Sequence, residues 1–271
     1  DLLHDFAMKL PIELIGDMLG VPREDRHLLS PWAVAILGGL EADLAPAQRD
    51  DAALAVDNFK DYLRWLIAER QKNPLSGEDG EVLSKLVGPD AEGDTLTELE
   101  LLHNCIFLLN AGHETTANTV TNGVDALLRF PDQLDRLRAD PELIVSGVEE
   151  LLRFESSVQL NNRKLTADAE IGGVAMNKGD YVWLCIGAAN RDPAEFPDPD
   201  AIDIGRDRNK HLAFGSGIHA CAGMSLGRME IRIALNGFVQ RFGQIEPSGT
   251  ALHHPRARFR GFVDYPVTAS V

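Results

Sequence analysis

Thiols are scarce in this sequence. Its 271 residues include three cysteines, Cys105, Cys185 and Cys221. An odd number so widely spaced supports no disulfide framework, and none has the neighbouring thiol that a zinc ribbon or an iron–sulfur cluster requires. A reducing, cytoplasmic setting fits them better. Cations are also short: 26 Lys and Arg against 42 Asp and Glu give a formal net charge of −16, with no basic block. A nucleic-acid partner is therefore not expected. No apolar run reaches the length of a membrane span and no signal peptide precedes the first helical pattern, so no membrane partner is expected either. Repeats and low-complexity segments are lacking too. What is present is an ordinary globular composition, 44% hydrophobic and 25% charged, enough for one large core or two modest ones. The first residue, Asp1, already lies inside an amphipathic pattern, which reads as a piece of something longer.

Helical periodicity dominates. It predicts helices over residues 1–19, stopped by Gly20 and Pro22, over about 25–37, and over about 46–71 with Phe59, Leu63, Leu66 and Ile67 on one side. A polar loop at 73–81 and a short helix at 82–87 follow. Residues 95–130, roughly 35 without a proline, read as one long helix. Thr95 or Thr97 would cap it, with Glu98 or Glu100 three residues on. Its middle, 105–111, is apolar all round, as in a helix buried through a domain. Two further helices follow Pro131 and Pro141. From 161 to 186, short Val, Ile and Trp runs broken by Gly172-Gly173 and Gly179-Asp180 read as β-hairpins. A meander rich in Pro and Asp fills 187–213, a helix spans about 222–242, and short strands close the chain near 257–268. The fold class is mainly α with a small β region. The expected organisation is a single domain over 1–271: helical to 155, β and meander with a cysteine loop over 156–221, then a final helix and strands over 222–271.

Four local patterns carry chemistry. Residues 214–223 read Phe-Gly-Ser-Gly-Ile-His-Ala-Cys-Ala-Gly. They offer one thiol in a glycine-rich turn, where Gly217 and Gly223 can take φ > 0 and let amide N–H groups curl around the sulfur. A lone thiolate so placed is what a haem iron needs as an axial ligand; a buried structural cysteine is the plainer alternative. Ala111-Gly112-His113-Glu114-Thr115-Thr116 puts a carboxylate and two threonines into the long buried helix. Polar groups there are costly without partners, and a threonine hydroxyl bonding back to the carbonyl four residues earlier would distort the helix and open a groove. Glu150 and Arg153, three apart, share one helix face and can pair. Arg163, His211 and His219 suit the carboxylates of a cofactor. Taken singly, the last two patterns are ordinary surface residues.

Together and in this order, the four patterns resemble the cytochrome P450 family of haem-thiolate monooxygenases, in particular the soluble bacterial type. Phe214, Gly217, Cys221 and Gly223 match its Phe-x-x-Gly-x-x-x-Cys-x-Gly signature. Residues 111–116 match Ala-Gly-x-Glu-Thr-Thr, and Glu150 and Arg153 match Glu-x-x-Arg. Residues 188–193 and 196–199 are also like bacterial members. The resemblance covers essentially the whole chain, but only the C-terminal two-thirds of a member. It implies haem b (iron protoporphyrin IX) with Cys221 as proximal thiolate, Phe214 beside the sulfur, and Arg163, His211 and His219 on the propionates. It implies Glu114 and Thr115 as the acid–alcohol pair delivering protons to dioxygen, with Ala111 and Gly112 making room for it. Glu150 and Arg153 would be a folding and haem-retention pair. Leu108, Val158, Leu160 and Phe262 would line the cavity of a small hydrophobic organic substrate. One atom of O2 would enter that substrate, with electrons from a ferredoxin and its reductase. A peroxide-driven haem enzyme and a catalytically silent haem-binding fragment stay open as alternatives. Arg206, Arg208, Lys210, Arg228 and Arg232 would form the docking patch for an acidic ferredoxin. Ala201 departs from the pattern where many members carry an arginine completing the Glu/Arg network, a place Arg206 or Arg208 would have to fill.

Overall fold

Apolar residues three and four apart draw the first part of the chain into a helical unit, Asp1–Ala117. The computed structural model describes residues 1–41, 43–73, 82–89 and 92–271; of the loop expected at 73–81, all but Asn73 lies outside them. A π-helical turn, Leu3–Ala7, leads into α1 (Lys9–Leu19). A 3-10 turn precedes α2 (Leu29–Gly38), and α3 (Pro46–Lys72), α4 (Val82–Val87) and α5 (Glu98–Gly112) follow. Ile12, Ile15 and Leu19 of α1, Leu29 of α2, Phe59, Leu63 and Leu66 of α3, and Leu102, Cys105 and Leu109 of α5 join in one buried cluster. Each such side chain removed from water contributes roughly 1.5–3 kcal/mol, so this cluster is what holds the helices together. Trp32 stacks on Phe59 with ring centroids 5.2 Å apart.

The long helix expected over 95–130 is two helices. Thr97 caps α5, accepting from the Glu100 amide while Glu100 Oε2 accepts from the Thr97 amide at 2.9 Å. His113, at φ −82° and ψ −73°, separates α5 from α6 (Glu114–Arg129). The Thr115 hydroxyl donates to the Ala111 carbonyl at 2.7 Å beside that break, the back-bond that bends helices.

The first turn of α6 belongs to the first unit and the rest to the second, Asn118–Val271. Here α6 is joined by α7 (Pro131–Ala139), α8 (Ile144–Phe154), the single turn α9 (Ile186–Ala189) and α10 (Met224–Arg241). Gly123 lets α6 approach closely: a Cβ there would lie 3.2 Å from Leu235 of α10 and 3.4 Å from Leu151 of α8. The strands pair antiparallel. β1 (Leu160–Lys164) runs beside β4 (Tyr181–Cys185), with Leu160 opposite Cys185 and Arg163 opposite Val182. β2 (Ala169–Ile171) pairs with β3 (Val174–Met176) around Gly172-Gly173. At the C-terminal end β5 (Gln244–Pro247) pairs with β8 (Val267–Ser270), and β6 (Leu252–His253) with β7 (Phe262–Asp264). No helix of the described residues is long and apolar enough to cross a membrane.

Candidate functional site

The cysteine loop precedes α10 and is built on backbone hydrogen bonds. The Cys221 amide donates to the Phe214 carbonyl at 2.8 Å, and the Ala220 amide to the Gly217 carbonyl at 3.1 Å. The left-handed residues are Gly215 (φ 66°) and Gly217 (φ 63°). Gly223, expected to share that role, is instead the residue before α10 at φ −89°. A Cβ on Gly215 would stand 3.0 Å from the His219 carbonyl oxygen, so both conformation and space require glycine there. Cys221 is half-buried, and Ile218 on the flank of the loop is 97% exposed.

A cavity of about 280 Å3 opens beside the loop, lined among others by Arg163 of β1, Cys185 of β4, Leu212, Ser216 and His219. It brings Arg163 and His219 together. His211 lies elsewhere: its Nδ1 accepts from the Ala213 amide at 3.2 Å, which leaves the ring proton on Nε2, 3.1 Å from Glu149 Oε2. Burial alone would raise the Glu149 pKa, but hydrogen bonds from His211 and Arg228, with the Arg228 charge, hold it down at about 2.

Glu150 and Arg153 are both fully buried on α8. Arg153 Nε donates to Glu150 Oε2 and Nη2 to Oε1, each at 2.8 Å. The remaining guanidinium hydrogens reach the carbonyls of Asn190 (2.9 Å), Pro199 (2.8 Å) and Ala201 (2.9 Å). All five donors are therefore satisfied, as a buried cation demands. Glu150 also accepts from Arg206 Nε at 3.0 Å, Asn209 Nδ2 at 2.9 Å and the Asp203 amide at 3.0 Å. Of the two arginines that could complete this network, Arg206 does so. It is thereby withdrawn from the expected docking patch, of which Arg208 and Lys210 remain exposed. Asn190 was not visible as a site residue in the sequence; its Oδ1 accepts from the Leu212 amide at 2.7 Å and ties the meander to the start of the cysteine loop.

In the first unit, Glu114 is buried at the start of α6 and Ala111 is exposed at the end of α5. The bare Cα of Gly112 faces α1: a Cβ would meet Ile15 Cδ1 at 2.6 Å, so packing within the unit already demands this glycine. Leu108 is partly buried against the core of the same unit. In the second unit, Val158 forms an isolated bridge with Phe259, and Leu160 is half-buried on β1. Phe262, expected beside a substrate, is 2% exposed and packed in the core, stacked on His253 at 4.0 Å and edge-on to Tyr265 at 4.7 Å.

One thiol on a glycine-held loop, an uncovered apolar flank, and an arginine with a histidine at the adjoining cavity form a donor set that fits haem held by a single sulfur. That is the haem-thiolate class. The family profile described as Cytochrome P450 matches residues 44–269, and the chain belongs to the cytochrome P450 family. It is 38% identical over 269 residues to the biotin biosynthesis cytochrome P450 of Bacillus subtilis, covering 99% of this chain and 67% of that protein. It is 38% identical to the monooxygenase PikC of Streptomyces venezuelae, covering 98% of this chain and 63% of PikC. Among solved structures, P450BioI in complex with an acyl carrier protein ligated to hexadec-9Z-enoic acid superposes with a TM-score of 0.93 at 38% identity, covering 99% of this chain and 68% of that one. The chain thus spans about two-thirds or less of the length of these curated relatives.

Proposed function

We propose that the protein carrying this chain is a haem-thiolate monooxygenase that oxidises a small, largely apolar organic molecule. The observation that supports this most is the Cys221 loop, a lone thiol presented on two left-handed glycines. Haem b, when bound, supplies the iron at which O2 is reduced, one atom entering the substrate and the other leaving as water. Cys221 would ligate that iron as thiolate, with Phe214 beside the sulfur. Arg163 and His219 would hold the carboxylates of the cofactor. The Glu150–Arg153 network would fix the meander on which the loop hangs. Glu114 would hold an exchangeable proton at the start of α6, and the Thr115 hydroxyl, whose own hydrogen rests on the Ala111 carbonyl, would accept and pass it on. Val158 and Leu160, both half-buried, are the candidates for substrate contact in the second unit. The hexadecenoic acid bound in the P450BioI complex makes long acyl chains, free and carrier-linked, the first panel to screen by the spin-state change on binding. Electrons would come from a ferredoxin and its reductase.

The test is the ferrous carbon-monoxide difference spectrum of the holoenzyme. Wild type is expected to give the strongly red-shifted Soret band of a thiolate-ligated haem, and Cys221→Ser to lose it. Failure to take up haem, or a band typical of imidazole ligation in the wild type, would reject the assignment.

A further inference from the structure

Next to the carboxylate that pairs with Arg153 stands another that faces the cysteine loop. Glu149 accepts from Arg228 through two nitrogens, Nε to Oε1 at 2.8 Å and Nη2 to Oε2 at 2.9 Å, and Arg232 Nη2 lies 3.6 Å from Oε1. Its fourth contact is His211 Nε2. So held, the Arg228 guanidinium carbon sits 4.8 Å above the Phe214 ring centroid, within cation–π range, and the His211 ring tilts against the same phenyl at 6.1 Å. Phe214 is the residue whose carbonyl receives the Cys221 amide. α8 therefore sends two adjacent carboxylates to different tasks. Glu150 fixes the meander, and Glu149 fixes the ring and cation packed on the loop.

We propose that Glu149 is a positioning residue for the Cys221 thiolate, clamping Arg228 over Phe214 and balancing the positive charge gathered on the loop that carries the sulfur. This rests on the haem-thiolate reading above. The charge count defines its signature. One carboxylate stands among two guanidiniums and the His211 ring, so cationic groups outnumber the anionic one. All of these side chains are partly or largely shielded from solvent, the carboxylate at 20% exposure and the two guanidiniums at 28% and 34%, so their charges are only partly screened. Removing the carboxylate makes the surroundings of the sulfur more positive and favours the reduced, more electron-rich iron site. Removing the arginine does the opposite. A brace that served only to hold the loop would respond alike to the loss of either partner.

The experiment is the reduction potential of the haem iron in the holoenzyme for wild type, Glu149→Gln, Arg228→Gln, Arg228→Lys and Arg232→Gln. Glu149→Gln is expected to raise the potential and Arg228→Gln to lower it, each changing the ferric-to-ferrous ratio at a fixed potential several-fold. Arg232→Gln, at the longer distance, is expected to lower it less and serves where Arg228→Gln fails to assemble. Arg228→Lys, which keeps the charge, is expected to stay near wild type. Shifts of the same sign in Glu149→Gln and the arginine-to-glutamine variants, or none, would overturn the proposal while leaving a thiolate-type carbon-monoxide spectrum intact. A wild-type holoenzyme without that spectrum would overturn both this proposal and the reading beneath it.

Discussion

His113 occupies the one position between α5 and α6, is fully buried, and has a hydrogen-bond partner for neither ring nitrogen. Burial disfavours its charged form and pushes its pKa down from the ordinary 6.5 to about 4. In the unfolded chain the ring takes its proton near pH 6.5, in the folded chain near 4. The folded state therefore loses stability as pH falls from 6.5, goes on losing it to about 4, and is indifferent above 6.5. His113→Leu deletes both unsatisfied nitrogens at similar volume, a replacement that is near neutral or stabilising in a buried site. In mildly alkaline buffer the variant is expected to melt at or above the wild-type temperature. Between pH 6.5 and 4 the wild-type melting temperature should fall further than that of the variant. Parallel melting curves across that window would mean that His113 is not held neutral by the fold.

On the scale of an element, α10 carries the complementary case. Glu230 is 7% exposed with no partner at Oε2, and burial raises its pKa from 4.5 to about 7. The folded chain holds this proton more tightly than the unfolded one. The stability it contributes is complete below 4.5 and is lost as pH rises through 7. Glu230→Gln keeps the shape without the charge, so it should match wild type in acid and exceed it in denaturant midpoint above neutrality. A variant weaker than wild type in alkaline buffer would point to an ionic partner for the carboxylate. Elements like α10 were legible because helical spacing reports one buried face, and the same signal gave α3; the strands between 160 and 185 were legible from short Val, Ile and Trp runs broken by Gly172-Gly173 and Gly179-Asp180. Distortion at residues 111–116 was legible from the threonines, but that it ends α5 at His113 was not, because the apolar pattern runs on through residues 105–111. Glu150 and Arg153 could be paired from spacing alone. Their carbonyl partners at 190, 199 and 201 come from a meander without period, and Arg206 could not be separated from Arg208. The burial of Phe262 in the core was likewise without a sequence signal, because its ring contacts with His253 and Tyr265 come from the fold and not from spacing. Glu149 was hidden by the motif beside it.

At the scale of the whole chain, its net charge of −16 would set two electrostatic effects against each other on the approach of the acidic ferredoxin proposed above. The sum repels such a donor at long range, while exposed cations near the cysteine loop attract it at contact. Arg206 is spent inside the fold, Arg228 and Arg232 are half-shielded and share the single carboxylate of Glu149, and Lys210 has Glu195 at 3.5 Å. Arg208 and Lys210 are the exposed residue of the patch. Raising ionic strength from about 0.1 M to about 1 M shortens the Debye length from about 10 Å to about 3 Å, which removes distant repulsion and also weakens contact attraction. If Arg208 and Lys210 guide docking, the rate of haem reduction by an acidic ferredoxin should fall with salt, and Arg208→Glu with Lys210→Glu should slow it at low salt and flatten the dependence. Stopped-flow reduction of the holoenzyme across that range reads the balance directly. A rate that climbs with salt in the wild type would mean that bulk repulsion dominates and that these two cations do not steer the donor.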